Sequence, residues 1–220
     1  MKNPSTIRSR AGRKLRSEET RRAILAAAGR VFADAGLAGA RTDAIASAAG
    51  VNKALLYYYF KSKESLYQAV VEDHFVEFNR QALAVLAAPG PASPALLSYV
   101  SLHFDFISAR HQSAPLFQQL MMNGGKFLER LIRHYFAPRS EALGSLIERG
   151  MRTGEFRQVD PFHAATSIVS LIVFYFSAAP VMPMLGRPDA FHEAILRRRK
   201  QEVLDFIRHG LFTNPQTPLP

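Results

Sequence analysis

Residues 42–60 read TDAIASAAGVNKALLYYYF. Thr42 and Asn52 are typical helix N-caps, and between them Gly50 permits the left-handed backbone that a tight turn requires. The pattern therefore predicts two short helices joined by a turn, a helix-turn-helix whose second helix fits the DNA major groove. Where the helices cross we expect small side chains and a few buried contacts, supplied by Ala44, Ile45, Ala46, Ala48, Ala49, Val51 and Leu56.

The sequence on either side predicts further helices. Ser17, followed by two glutamates, is the expected start of the first helix, which Gly36 ends. Ser62 is expected to cap a fourth helix that reaches about Leu86, before the break PGPASP at 89–94. No long segment alternates with period two, so we expect an all-α chain. Later helices are predicted near 95–110, 115–122, 126–151, 161–179 and 189–211.

Positive charge is concentrated at the start of the chain. The net charge is +10, and residues 1–63 hold 13 Lys/Arg against 4 Asp/Glu, whereas residues 64–220 hold 15 against 14. This asymmetry predicts a phosphate-binding module fused to a neutral body, with a basic solubility tail as the alternative. The chain has no cysteine, which excludes disulfides, thiolate catalysis and thiolate metal sites.

Neither the start of the chain nor the uncharged segment 164–186 suggests export or membrane insertion. Residues 1–16 are polar and basic without an apolar run, so they indicate a flexible arm rather than a secretory signal, and we expect a cytoplasmic protein. Residues 164–186 carry no charge, but Pro180, Pro183 and several hydroxyl side chains interrupt them. A buried helix in a core or a subunit interface is favoured over a membrane span.

The run from Thr42 to Leu66, with Thr20-Arg21 and the segment 32–36 before it, resembles the DNA-binding domain of the TetR/AcrR family. The resemblance implies an N-terminal helix-turn-helix three-helix domain and a larger helical ligand-binding and dimerisation domain. It implies a cytoplasmic homodimeric regulator of double-stranded operator DNA, most often a repressor, released by a small apolar or amphipathic effector. The expected boundaries are 1–16 for the arm, 17–63 for the DNA-binding domain, 64–213 for the body and 214–220 for the tail.

The same resemblance suggests the DNA-contacting residues. Lys53 is the candidate for a guanine edge, and Leu55 for a thymine methyl. Phosphate contacts are expected from Thr42, Tyr57, Tyr59 and Lys63. Ala54 and Tyr58 lie on the same recognition helix, although Tyr58 could instead fill the core of the small domain. Ala54-Leu55 replaces the Gly-Thr or Gly-Ala frequent in the family, so the operator sequence cannot be inferred by analogy.

The body of the chain is rich in Phe, Met and His, which usually form ordinary core. The family resemblance implies an effector pocket among them, and adaptable Met and aromatic side chains suit one. The last two long helices are expected to pair with their copies through the faces of 164–179 and 191–208. The candidate pocket residues are His103, Phe104, Phe117, Met121 and Tyr175.

No catalytic or metal motif emerges, so we expect neither an enzyme nor a bound cofactor. Asn123-Gly124-Gly125-Lys126 lacks the spacing of a phosphate loop, and the seven histidines are scattered. The basic run 197–200 is better explained as the solvated face of the last helix than as a nucleic-acid site. Two alternatives stay open: a constitutive DNA-binding protein without an effector, and an enzyme with an accessory basic head.

Overall fold

A computed structural model describes residues 4–110, 120–121 and 124–216 of the chain, with side chains described from residue 15 onwards. Within these residues the chain forms helices joined by turns, without a named strand, which confirms the all-α prediction. Two compact units are distinguished, Met1–Asp73 and His74–Pro220. The finer domain boundaries given above stay predictions.

The first unit is built from three helices and the start of a fourth. These are α1 (Pro4–Gly39), α2 (Thr42–Ala48), α3 (Lys53–Phe60) and α4 (Lys63–Leu86), the last of which continues into the second unit. α1 packs on α2, and α2 packs on α3. One apolar side of each helix faces a common core that includes Ile24, Ala28, Phe32, Ile45, Leu56, Phe60, Leu66, Tyr67 and Val70.

The predicted start of the first helix at Ser17 is wrong. The backbone is helical from Pro4, so residues 4–16 extend α1 and are not an irregular arm; residues 1–3 lie outside the described part. Proline is favoured in a first helical turn, and the Lys and Arg residues that follow are good helix formers. Ser17 therefore has no helix start to cap. At Gly36 the backbone leaves the helical conformation, as predicted, with φ 66° and ψ 178°.

The turn between α2 and α3 has the expected geometry with two local differences. Gly50 has a φ of 66°, and the Asn52 side chain caps α3 by accepting from the Leu55 amide at 2.7 Å. The N-cap of α2 is Arg41, and Thr42 is its first helical residue. Of the four alanines expected at the crossing, Ala46 is buried, whereas Ala44 and Ala48 are exposed because they lie on the outer side of α2.

In the described residues of the second unit, the rest of α4 is followed by five further helices. They are α5 (Ala92–Ser108), α6 (Gly125–Leu131), α7 (Ala137–Arg152), α8 (Pro161–Ala178) and α9 (Glu193–Leu211). A π-helical turn, Ile132–Phe136, joins α6 to α7, and a 3-10 segment, Ala179–Leu185, follows α8. The predicted helix 126–151 thus contains a π turn, and the last helix begins four residues later than predicted. The predicted helix 115–122 lies mostly outside the described residues.

α5 is central to the second unit, where it contacts α7, α8 and α9. Its N-terminus is capped by a residue far away in the sequence: the Glu155 carboxylate accepts hydrogen bonds from the Ala92 and Ser93 amides at 2.9 and 2.8 Å. Next to this carboxylate, Phe156 and Phe212 form an antiparallel bridge and stack their rings at 5.0 Å. These contacts tie the loop before α8 to the end of the chain. Of the predicted tail, residues 214–216 are described.

Candidate nucleic-acid interface and effector region

The recognition helix α3 has one buried and one exposed face. Leu56 and Phe60 lie in the core of the first unit, 0% and 5% exposed. On the opposite side Lys53 and Ala54 are exposed, and two tyrosine side chains project into solvent, Tyr57 at 38% and Tyr58 at 78% exposure. The exposure of Tyr58 excludes the alternative that it fills the core. α3 therefore presents a surface that a DNA groove could accept.

Lys53 opens this surface and already has a charged partner. Its ammonium lies 2.9 Å from one carboxylate oxygen of Asp43 and 3.1 Å from the other. The hydrogen bond from Lys53 is the main reason why the pKa of Asp43 lies below its ordinary value. Both side chains are about half exposed, so solvent and salt weaken the pair. A base edge can therefore compete for Lys53.

Two of the predicted phosphate contacts also make contacts within the protein. The hydroxyls of Tyr59 and Ser17 share a hydrogen bond of 3.0 Å, which joins α3 to α1. The Lys63 ammonium donates to the carbonyls of Ala38 and Ala40, both at 3.3 Å, at the end of α1. A cation at a helix C-terminus interacts favourably with the helix dipole. Both residues thus brace the small unit, and their DNA contacts stay predictions.

The two remaining candidates for DNA contact, Thr42 and Leu55, are half-buried at the starts of α2 and α3. Both belong to first helical turns, where backbone N–H groups are free of intrahelical partners. Leu55 lies between Lys53 and Tyr57 in the sequence of α3, whereas Thr42 belongs to the preceding helix. Their proposed roles, a phosphate contact and a thymine methyl contact, stay predictions.

The predicted effector residues are brought together only in part. His103 and Phe104 are buried on α5, and the Tyr175 ring on α8 stacks on Phe104 at 6.5 Å. The Tyr175 hydroxyl donates to the Ala190 carbonyl at 2.8 Å. Met121 is 58% exposed, and Phe117 lies outside the described residues. An effector site at His103, Phe104 and Tyr175 stays a prediction.

The structure adds three buried polar residues that the sequence analysis missed: Asn79, Tyr99 and Arg139. Each occupies a position on the apolar stripe of its helix, where a polar side chain is unusual. Asn79 follows Phe75 and Phe78 on α4, and Arg139 lies four residues before the buried Leu143 on α7. This break in the apolar period is the signal that could have identified them.

A second surface, on α8 and α9, is apolar and exposed. Three phenylalanines project from it, Phe162, Phe174 and Phe206, at 66–72% exposure. Between the two helices lies an open groove of about 360 Å³, lined in part by Ile168, Leu171 and Phe206. In length and hydropathy the segment Pro161–Leu185 would suffice for a membrane span, and 22% of its most apolar window is buried within the chain. The helix is therefore not fully buried in the monomer.

Two family models match the two parts of the chain. Residues 24–70 match the bacterial regulatory proteins of the tetR family, and residues 93–207 match the tetracyclin repressor-like C-terminal domain. The second match alone spans more than half of the chain. The helix-turn-helix and the helical body are thus both matched.

Curated relatives are similar over most of their length. The HTH-type transcriptional regulator RutR of Escherichia coli (strain K12) is 28% identical over 198 residues, which cover 87% of this chain and 90% of RutR. The HTH-type transcriptional repressor NicS of Pseudomonas putida is 31% identical over 165 residues, which cover 73% of this chain and 77% of NicS.

Solved structures share the fold. A transcriptional regulator from Saccharomonospora viridis, in complex with choline, aligns with a TM-score of 0.73 at 22% identity and covers 90% of this chain and all of its own. A TetR/AcrR family regulator from Thermobifida fusca aligns with a TM-score of 0.66 at 25% identity, over 84% of this chain and 96% of its own.

Proposed function

The chain belongs to the TetR family of DNA-binding transcriptional regulators, and from that membership we propose a homodimeric repressor that a small molecule releases from a palindromic operator. The observation that carries this proposal is the division of α3 into a buried face, Leu56 and Phe60, and an exposed face that begins at Lys53. The buried face fixes the helix, and the exposed face is free to enter a major groove.

Positive charge supplies the attraction to DNA. The first 63 residues carry nearly all of the excess Lys and Arg of the chain. Contacts to phosphates set affinity and register, whereas side chains on α3 select the sequence. Among the exposed residues of α3, Lys53 can donate to guanine O6 and N7, and Tyr57 and Tyr58 can reach the backbone.

A second copy of the chain is the proposed partner of the α8–α9 surface. Apolar patches of this kind on a water-soluble domain mark interaction sites, and the family's members dimerise. Phe162, Phe174 and Phe206 would be buried against the partner's copy of the same surface in a two-fold interface. The same pairing accounts for the apolar character of Pro161–Leu185 without a membrane.

The helical body is the proposed sensor. An effector weakens operator binding only by the difference between its affinities for the two states of the dimer. The candidate residues are His103, Phe104 and Tyr175, which lie on α5 and α8 in the core of the second unit. α4 runs without a break from the DNA-binding unit into this body, so it is the proposed lever.

The test is selection of bound fragments from fragmented genomic DNA, followed by footprinting and sedimentation of the complex. We expect a palindromic footprint with half-sites about 34–36 Å apart, bound by an even number of chains. Protection of one asymmetric half-site by a single chain would contradict the proposal. Operator affinity that no intracellular small molecule changes would favour the constitutive DNA-binding alternative.

Variants of the α8–α9 surface make the dimer test sharper. Phe174→Glu combined with Phe206→Glu should give a monomer that binds the palindrome weakly, because burying unpaired carboxylates in the interface costs several kcal/mol. Val76→Glu is the control: it introduces one glutamate at an apolar side chain on α4 that is 50% exposed and lies outside this surface. We expect the control to remain dimeric, and a dimeric double variant would refute this interface.

A further inference from the structure

Arg139 is a buried cation without an acidic partner. Its side chain, on α7, is 8% exposed, and burial lowers its pKa. All eighteen Asp and Glu residues of the chain lie in the described part, and within that part none forms an ion pair with Arg139. An unpaired buried charge is costly, so a protein keeps one where an anion binds or where it fails to ionise. A guanidinium in proteins stays charged.

Neutral groups hold Arg139 in one orientation. Its Nη1 donates to the Asn79 side-chain oxygen at 2.5 Å, and the Asn79 amide nitrogen donates to the Tyr135 carbonyl at 2.8 Å. The guanidinium carbon lies 4.9 Å from the centre of the Phe78 ring and 5.3 Å from that of Phe136. These contacts orient the Arg139 guanidinium, but none of them supplies a negative charge to balance it.

The π-helical turn before α7 also helps to hold Arg139 in its orientation. Tyr135 and Phe136 belong to the π-helical turn Ile132–Phe136, which directly precedes α7 and Arg139. π turns are rare, and they are frequently found at functional sites. Here the turn leaves the Tyr135 carbonyl to Asn79, which completes the support of Arg139.

Two further buried groups beside Arg139 have unused hydrogen-bonding capacity. Within the described part of the chain, His103 Nδ1 lacks a hydrogen-bond partner, and the Tyr99 hydroxyl has none of normal geometry, although it lies close enough to Arg139 for the two side chains to interact. The two residues are 4% and 0% exposed. Burial raises the pKa of Tyr99, and burial and the Arg139 charge lower the pKa of His103 to about 3. Tyr99 therefore keeps its proton, and His103 is neutral at physiological pH.

We propose that Arg139, Tyr99 and His103 bind the carboxylate of the effector, with Asn79 as the residue that positions Arg139. This assignment rests on the proposed function, because it gives the chemical class of that effector. One cation and two neutral polar groups match the single charge and two oxygens of a carboxylate. Aromatic rings adjoin the cluster, since Phe78 lies 4.7 Å from the His103 ring and 4.5 Å from Phe106. The expected ligand is a small organic acid with an apolar body.

The experiment measures thermal unfolding and calorimetric binding of the full-length protein with a defined panel. The panel holds linear carboxylates from acetate to decanoate, phenylacetate and phenylpropionate, each at 1 mM and each beside its neutral amide. We expect at least one acid to stabilise the protein more than its amide does. If every acid and its amide have the same effect, the proposal is overturned.

Variants then assign the binding to this cluster. Arg139→Met should reduce affinity for the active acid by about 10- to 100-fold, the loss expected when a charge-assisted hydrogen bond is removed. Tyr99→Phe, which removes one oxygen and preserves the ring, should reduce it less and should fold even if Arg139→Met does not. Arg152→Met, at an exposed arginine of the same helix, is the control and should bind as the unmodified protein does. Equal affinities in all four proteins would refute the site.

Operator release is measured separately, so the two proposals can fail independently. An acid that binds through Arg139 and leaves operator affinity unchanged would support the carboxylate site and contradict its regulatory role. A neutral or cationic compound that releases the operator, with no acid bound, would support regulation and overturn the carboxylate site.

Discussion

The Lys53 ammonium lies 2.9 Å from the Asp43 carboxylate, so the first turn of the recognition helix is linked to the first turn of the helix before it. An exposed ion pair contributes about 1 kcal/mol or less to stability. The pair therefore constrains Lys53 weakly, and it places a negative charge beside the residue expected to read DNA. We therefore expect Asp43 to disfavour a nonspecific phosphate contact by Lys53, because the carboxylate repels the DNA backbone.

Replacing Lys53 and replacing Asp43 should have different effects on DNA binding. Lys53→Ala should relax preference at one base pair per half-site by about 1–3 kcal/mol. Asp43→Asn should instead raise affinity for unrelated DNA, because Lys53 is released from its partner. The measurement is binding to operators substituted at each half-site position. If Lys53→Ala weakens all sequences equally, Lys53 contacts the backbone.

The Ser17–Tyr59 hydrogen bond offers a matched pair of variants for a phosphate contact. Tyr59→Phe removes both this bond and any bond from the phenol to DNA, whereas Ser17→Ala removes only the internal one. We expect Tyr59→Phe to weaken binding to all sequences alike and Ser17→Ala to weaken it much less. Gel-shift titrations on specific and unrelated DNA compare them. Equal losses would assign Tyr59 to the support of α3 alone.

Local signals in the sequence were sufficient to predict the helix-turn-helix. The Asn52 cap, the Gly50 turn and the burial of Leu56 depend on residues within a few positions of each other, and the structure has all three. The start of α1 was misplaced because Ser17 followed by two glutamates resembles a cap. Residues that can cap a helix N-terminus also occur inside helices, so their presence does not show that a helix begins there.

The polar cluster of the body could not be predicted in the same way. Arg139 and Asn79 are 60 positions apart, and only the packing of α4 on the π turn and α7 brings them together. The turn itself has no local marker, because Ile132–Phe136 contains neither proline nor glycine. The family resemblance made His103 a candidate effector residue, but its unpartnered nitrogen is a property of the folded core.

Glu155 should make stability depend on pH. Burial raises the pKa of Glu155, but hydrogen bonds from the Ala92 and Ser93 amides and the Thr153 hydroxyl outweigh it and hold that pKa below 4.5. Because the pKa of Glu155 is lower in the folded than in the unfolded protein, the carboxylate contributes its full stabilisation at pH values above the unfolded-state pKa. That stabilisation is lost as the pH falls through the folded-state pKa. Glu155→Gln should cost about 0.5–2 kcal/mol at neutral pH, as loss of a helix cap does.

The measurement for Glu155 is urea unfolding of both proteins at pH 7 and pH 3.5, at one protein concentration because a dimer's stability depends on it. We expect the difference between them to shrink at the lower pH. A difference that is the same at both values would show that the carboxylate charge is unimportant to the cap.

Gly150 should be intolerant of a side chain. A Cβ at this position in α7 would lie 2.1 Å from the Phe156 ring, which is 1% exposed and stacked on Phe212. Gly150→Ala should therefore destabilise the fold by about 1–3 kcal/mol. Gly144→Ala is the control on the same helix: nothing lies within 4 Å of its Cβ, so it should stabilise by about 0.5–1 kcal/mol. Urea unfolding compares them, and equal effects would mean that Phe156 moves aside freely.

The basic start of the chain should contribute to DNA affinity through salt-dependent contacts. Residues 1–16 carry six basic groups and no acid, and the backbone from Pro4 is helical. Replacing Arg8, Arg10 and Arg13 by glutamine removes three charges and keeps good helix formers in place. Each lost phosphate contact should reduce the slope of log K against log salt by about 0.9. Operator affinity at several salt concentrations gives the slopes.

The matched control replaces Arg197 and Arg198 by glutamine. These exposed residues of α9 pair with Glu193 and Glu202 on their own helix, so their charges are partly balanced. We expect the control to keep the slope of the unmodified protein and the triple variant to lower it by two or more. Parallel lines for all three proteins would mean that the basic start never touches DNA. A lower slope in the control alone would move the extra phosphate contacts to α9.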